Sequence, residues 1–275
     1  MEPNLQYVED RVEDIEKSIF NVLKATLQYP TIPQAKAAKL AHDIVFLDET
    51  DGSGETLWDV WFLILDMAAC IPPGHEWQDS LLQSLGILCK RDQPIAKHSG
   101  APSWKELPSF RMCVREKWLD PAGTGEETEE LLEEFSRWKN LNSFVARLPS
   151  HGFIPGINFP VWQLREALEE PPVEGRALEC QIWVATEWII NCADILFDEM
   201  NSKEEPDKDT ARAFRGGSLY DGRPPFSLER WAFWKTRFSE LSANATSLGL
   251  DSATIARISD ALKSMDSVKE IGSTT

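Results

Sequence analysis

The sequence predicts an all-α fold, a single large bundle of about nine to eleven helices. Three observations carry this reading. Apolar residues recur at steps of three and four along most of the chain. No segment alternates apolar and polar residues with the period of two that a half-buried strand requires. The periodic runs are separated by Pro, Gly, Asp and Ser at the places where helices start and stop. The chain has 275 residues, 42% of them hydrophobic, which is enough for one large domain or two modest ones. We read residues 1–275 as one helical domain. The Pro- and Gly-containing stretch 90–108 offers an alternative division into N-terminal helices over 1–90 and a C-terminal bundle over 109–270.

The elements follow in order. Leu5, Val8, Val12, Ile15, Ile19, Val22 and Leu23 step by threes and fours, so 4–28 is expected to be one amphipathic helix ending at Tyr29-Pro30. Pro33 suits a first turn, and Ala37, Leu40, Ala41, Ile44 and Val45 continue a second helix. Asp51-Gly52-Ser53-Gly54 reads as a turn. Leu57, Trp58, Trp61, Leu65 and Ala68 form a third helix, stopped by Pro72-Pro73-Gly74. Leu81, Leu82, Leu85 and Leu88 give a fourth. A short helix is expected near 109–119, and Pro121 to Gly125 is a loop. The acids Glu126 to Glu130 start a helix that runs to about 148, where negative charge complements the helix dipole. Asn158 is expected to cap a helix over 160–170. A long helix covers about 175–200, and 201–226 is loop. Ser227 caps a helix to about 243, and Asp251 caps a last one to about 268.

Composition and charge narrow the function. Lys plus Arg is 28 and Asp plus Glu is 45, a formal charge of −17. A chain this acidic has no general field for phosphates or for an anionic membrane face, so neither nucleic acid nor membrane is an expected partner. The N-terminus has neither a basic start nor an apolar run, and no stretch approaches eighteen apolar residues. The five cysteines are irregularly spaced and odd in number, which reads as reduced thiols in the cytoplasm, with the nucleus as the other compartment. Phosphate-binding Gly loops and the nucleophile elbow are absent. His75-Glu76-Trp77-Gln78-Asp79 lacks the second imidazole that would hold zinc. No catalytic residue, metal or cofactor is assigned.

Three constellations stand out. On the 175–200 helix, Glu187, Asn191, Asp194 and Asp198 form a narrow polar stripe on an otherwise apolar helix. It is either the one wet face of a buried helix or the lining of a cavity. Glu55, Asp59 and Asp66 make a similar stripe on the third helix. Next, Arg212, Arg215, Arg223, Arg230, Lys235 and Arg237 gather among Gly216-Gly217, Tyr220, Trp231 and Trp234. Such a segment is either an anion-binding loop over an aromatic pocket or an ion-pair network that docks the loop on the acidic body. Last, Asn142 and Arg147 sit among the core positions Trp138, Leu141, Val145 and Leu148, where polar groups need partners. Of the eleven Trp, we place Trp58, Trp61, Trp138, Trp183 and Trp188 in helix cores, and Trp231 and Trp234 where the basic loop meets the bundle.

Several of these segments are similar to a fungal family known only as a domain of unknown function. They are Trp138 with Leu141-Asn142-Ser143-Phe144-Val145-Ala146-Arg147-Leu148, the run from Trp162 to Glu169, the apolar stretch around Trp188-Ile189, and Ser227-Leu228-Glu229-Arg230-Trp231-Ala232-Phe233-Trp234-Lys235-Thr236-Arg237-Phe238. The resemblance spans 130–240. It implies a fungal, intracellular, helical protein and no established reaction. The loop Leu219 to Pro225 departs from the Gly-rich segment expected there. The reading that follows is an enzyme or accessory protein acting on a small molecule in specialised metabolism, its ligand apolar with an acidic group. Asn142, Arg147, Glu166, Asp194, Arg215, Tyr220, Arg230, Trp231 and Trp234 are the candidate ligand-binding residues. The alternative is a non-enzymatic helical module that binds another protein. A nucleic-acid factor would rest on 212–237 alone and runs against the net charge.

Overall fold

The computed structural model of the chain describes residues 3–51, 56–91, 103–121, 128–154, 156–222 and 224–272, with only the backbone at 51 and 269–272. The fold is all-α, and no strand occurs among the described residues. Twelve α-helices are present among them, against the nine to eleven expected. The chain separates into two compact units: residues 1–120 with 136–154, and 121–135 with 155–275. The turn expected at 51–54 and most of the 90–108 and 121–125 loops lie outside the described residues.

The first unit contains α1 (Gln6–Glu9), α2 (Lys17–Gln28), α3 (Pro33–Asp51), α4 (Thr56–Ala69), α5 (Glu76–Cys89), α6 (Phe110–Glu116) and the later part of α7 (Glu129–Ala146). Its core is built by Leu23 and Leu27 of α2, Leu40 and Ile44 of α3, Trp61 and Ile64 of α4, and Leu81 and Leu85 of α5. The α3 helix packs most extensively on α5. Side-chain amides tie the ends of elements together. Asn140 Nδ2 donates to the Ala69 carbonyl at 2.8 Å, and Gln78 Nε2 donates to the Ile71 carbonyl at 2.7 Å.

The single helix expected over 4–28 is broken. The chain leaves α1 at Asp10 and re-enters a helix at Lys17. Local bonds favour the break. Glu16 turns back to accept from the Glu13 backbone N–H at 3.1 Å, as a capping side chain does. The Tyr7 ring has two guanidinium carbons 3.8 Å from its centroid, those of Arg11 and Arg137, and two cations that close must take opposite faces. Ile15, expected on the buried stripe, is 78% exposed.

The second unit contains the start of α7, then α8 (Asn158–Leu168), α9 (Gly175–Met200), α10 (Lys208–Ala213), α11 (Leu228–Ala243) and α12 (Ser252–Gly272). The α9 helix is its axis, with α8, α11 and α12 packed against it. Cys192 interrupts α9 with φ −134° and ψ 16°. Ser227 caps α11 by accepting from the Arg230 N–H at 3.1 Å, and Asp251 caps α12 through the Thr254 N–H at 2.7 Å, as expected. Asn158 does not cap α8. It is the first helical residue, and Ile157 precedes it without a side-chain bond. The α10 helix falls inside the expected 201–226 loop, started by Asp207, which accepts from the N–H groups of Asp209 and Thr210. It and the break at 10–16 account for the two helices beyond the ten read from sequence. Trp61, Trp138 and Trp188 are buried as expected, while Trp58 and Trp183 are only half-buried.

Candidate functional site

The basic segment was the strongest site candidate in the sequence, and its centre is used inside the protein. Arg230 and Glu169 are both fully buried, on α11 and at the C-terminal cap of α8. Arg230 Nε donates to Glu169 Oε1 at 2.6 Å, and Nη2 donates to Oε2 at 3.0 Å. Nη1 donates to the carbonyls of Phe214 and Pro225 at 2.7 and 2.8 Å, and Nη2 also reaches the Arg215 carbonyl at 3.5 Å. All five guanidinium N–H groups therefore have acceptors. The same carboxylate accepts from Trp234 Nε1 at 2.5 Å and from the Gly217 N–H at 2.8 Å. Gly217 lies so close that a Cβ there would fall 2.5 Å from the Glu169 carbonyl oxygen. This geometry fastens Phe214, Arg215, Gly217 and Pro225 to the end of α8 and the start of α11.

The surrounding candidates follow the same logic. Tyr220 packs 5.7 Å from the Arg230 guanidinium carbon, and its hydroxyl shares a 3.2 Å hydrogen bond with Ser227. Burial, the largest cause, pushes its phenol up. Trp231 is buried against Phe197. Arg215 and Arg212 are exposed, Lys235 pairs with Asp266, and Arg237 pairs with Glu240 at 2.5 Å. Arg223 lies outside the described residues.

The remaining candidates are dispersed. Asn142 and Arg147 belong to the first unit. Asn142 Nδ2 donates to the Trp138 carbonyl of its own helix at 2.9 Å, and Arg147 ties α7 to α5 through Asp79 and Gln78, each at 2.7 Å. Glu166 is exposed on α8. Along the α9 stripe, Asp194 and Asp198 are exposed, and Glu187 pairs with Arg257 of α12. Among the described residues no group of three or more His, Cys, Asp or Glu is placed to hold a metal. Glu55, of the other stripe, lies outside them. Burial pushes the thiols of Cys113 and Cys192 up to about 12, so they are protonated and poorly nucleophilic at neutral pH.

Two concave sites occur in the first unit, and none of the candidate ligand-binding residues lines them. One, of about 360 Å3, is lined by Tyr7, Arg11, Glu16, Phe62, Asp66 and Lys117. Lys117 Nζ donates to Asp66 at 2.8 Å, while Arg11, Glu13 and Glu16 add one positive and two negative charges to the lining. Burial nevertheless raises the Asp66 carboxyl above its ordinary value, outweighing the pull of Lys117.

The second, of about 510 Å3, is a mainly apolar groove between α2 and α3. Val22 and Ala25 of α2 and Tyr29, the residue after its end, line the groove together with Ala35 of α3. Thr26, Thr31, Lys36 and Lys39 supply its polar groups. Thr26 Oγ1 donates to Asp43 at 2.9 Å, and Lys39 pairs with the same carboxylate. Apolar walls with a few fixed polar groups at this volume suit a small ligand. A signal for this groove stood in the sequence: residues 17–42 hold Lys17, Lys24, Lys36 and Lys39 and not one Asp or Glu.

No curated protein and no solved structure matches the chain. A family model described as "Protein of unknown function (DUF3632)" matches residues 61–238. The match begins in α4, so it takes in Glu169, Arg230 and Trp234 as well as Glu76 and Trp77, while α2 and α3 precede it. It covers well over half of the sequence, and the chain accordingly belongs to the DUF3632 family.

Proposed function

We propose that this chain is a fungal, cytoplasmic protein of specialised metabolism that binds a small, largely apolar molecule in the groove between α2 and α3, as an enzyme or as an accessory binding protein. The fungal and metabolic context comes from the resemblance of 138–148, 162–169 and 227–235. The binding role rests on one observation: a groove of about 510 Å3 lined by Val22, Ala25, Tyr29 and Ala35 together with Thr26, Thr31, Lys36 and Lys39.

A neutral apolar fluorophore, N-phenyl-1-naphthylamine, tests it. We expect saturable fluorescence enhancement with the full chain, and loss of that signal in Ala25→Trp, where an indole fills the groove. Absence of binding to the unsubstituted protein overturns the proposal. A protein-binding role has its own supporting observation in Tyr29, Ile32 and Phe46 of the α2–α3 segment, which are 66%, 64% and 60% exposed. Sedimentation at increasing concentration separates the two readings, since a self-associating groove excludes the fluorophore.

A further inference from the structure

The cavity of about 360 Å3 in the first unit is lined by three carboxylates and two cations, a net charge of −1. Glu13, Glu16 and Asp66 supply the negative charge, and Arg11 and Lys117 the positive. Among the described residues these five groups form one ion pair. Lys117 Nζ lies 2.7 Å from Asp66 Oδ1 and 2.8 Å from Oδ2. Arg11 is engaged elsewhere. Its guanidinium carbon is 3.8 Å from the Tyr7 ring centroid, and its Nη1 donates to the Tyr7 carbonyl at 3.3 Å. Glu16 accepts from the Glu13 backbone N–H at 3.1 Å and has no cationic partner among the described residues. The exposed Glu13 carboxylate has none among them either.

The acids also act on one another. Burial raises the Asp66 carboxyl, Lys117 pulls it down, and the negative charge of Glu16 raises it further. Two carboxylates that repel each other within one cavity favour a further cation there. The rest of the lining suits an organic one. Phe62 and Leu63 share α4 with Asp66, and Val8 and Val12 come from α1 and the turn after it. The Phe62 ring already has a positive charge beside it, the Lys117 ammonium at 5.2 Å from its centroid. The three carboxylates do not converge as metal ligands, since no group of three or more His, Cys, Asp or Glu among the described residues is placed to hold a metal.

We infer that this cavity is a binding site for a small organic amine, its ammonium paired with Glu16 and Asp66 and its apolar body against Val8, Val12, Phe62 and Leu63. One added positive charge brings the lining to zero, so the ligand is a monocation. Its volume is that of a site for a molecule of a few carbons rather than a polymer. Glu13 and Glu16 reach the cavity from the turn that replaces the helix expected over 4–28, so the break after α1 builds the site. The inference is independent of the α2–α3 groove.

The test is isothermal titration of the full chain with three six-carbon probes: hexylamine, 1-hexanol and hexanoate. Hexylamine should bind about tenfold or more tightly than hexanol, the scale of a charge-assisted hydrogen bond, and hexanoate more weakly than either. Glu16→Gln should lower hexylamine affinity about fivefold or more while hexanol binding changes less than about twofold. The amide keeps an oxygen for the Glu13 N–H, so the turn is preserved. Asp66→Asn should act in the same way. General attraction of a cation to an acidic chain is read from Glu129→Gln with Glu130→Gln, exposed acids outside the cavity, which should leave hexylamine binding unchanged. Equal affinity for amine and alcohol on the unsubstituted chain overturns the inference, whatever the variants do. An equal loss in the variant at Glu129 and Glu130 overturns it too. So does displacement of N-phenyl-1-naphthylamine by hexylamine, which would place the amine in the α2–α3 groove. Fluorophore binding without amine binding overturns this site alone and leaves the groove standing.

Discussion

Arg230 shows how far one residue's role depends on groups distant in sequence. Its guanidinium is completely sequestered and completely bonded, and its carboxylate partner is 61 residues away. The sequence marks Arg230 and Trp234 because they belong to a basic, aromatic segment of an otherwise acidic chain. It did not mark Glu169, which looks like one more acid at the end of an amphipathic helix. Pairing across that separation depends on how α8 and α11 pack, and no local pattern encodes it. The energetic consequence is sharp. Removing one partner of a buried pair leaves the other charge uncompensated, so Arg230→Met should destabilise folding by about 3–5 kcal/mol. Arg230→Lys should restore little, because an ammonium cannot form the two-pronged contact with Glu169 while bonding the loop carbonyls. Arg230→Met with Glu169→Met should recover part of the loss. Urea unfolding midpoints measure all three. A chain that keeps its midpoint in Arg230→Met would show that the loop is not fastened through this pair.

At the scale of elements, the helices were legible wherever periodicity and capping agreed. Ser227 and Asp251 start α11 and α12 as their sequence positions require, because an N-cap bond is local. Periodicity alone overreached at 4–28, where Arg137, far along the chain, helps hold Tyr7 and the helix gives way. The break also shapes the Asp66 pocket, since Arg11, Glu13 and Glu16 of the intervening turn line it. Asp66 makes a pH prediction. Its carboxyl is raised above 3.8 mainly by burial on α4. The folded state therefore holds this proton more tightly than the unfolded chain. Asp66 contributes most to stability below pH 3.8, and that contribution is lost as pH rises through the raised value. Asp66→Asn, which cannot ionise, should lack this component. The difference in urea midpoint between Asp66→Asn and the unsubstituted chain should shift in favour of the uncharged amide as the solution is taken from acid to neutral pH. A difference that moves the other way would mean that Lys117, not burial, governs the pair.

For the whole molecule the decisive quantity is where the charge lies. The formal charge is −17, yet residues 17–42 carry four Lys and no acid, so the rest of the chain holds −21. The Arg-rich segment at 212–237 is a weaker asymmetry than it looked, since Arg230, Lys235 and Arg237 each meet an acid within the second unit. The candidate site was hard to read for this reason. A run of positive residues is conspicuous, whereas an absence of acids is visible only against an acidic background. An excess of like charge should also strain the folded state through self-repulsion. Raising NaCl from low concentration to about 0.15 M shortens the screening length to about 8 Å and should raise the melting temperature. For a chain of this size each kcal/mol of relieved repulsion corresponds to about 2–4 °C. The effect should saturate once screening is short compared with the spacing of surface charges. The buried Arg230–Glu169 pair should resist the salt, because ions do not enter between groups that water does not reach. Melting followed by circular dichroism across a salt series checks this. A melting temperature that falls with added NaCl would mean that the surface ion pairs, such as Lys24–Glu9 and Lys263–Asp260, outweigh the net repulsion.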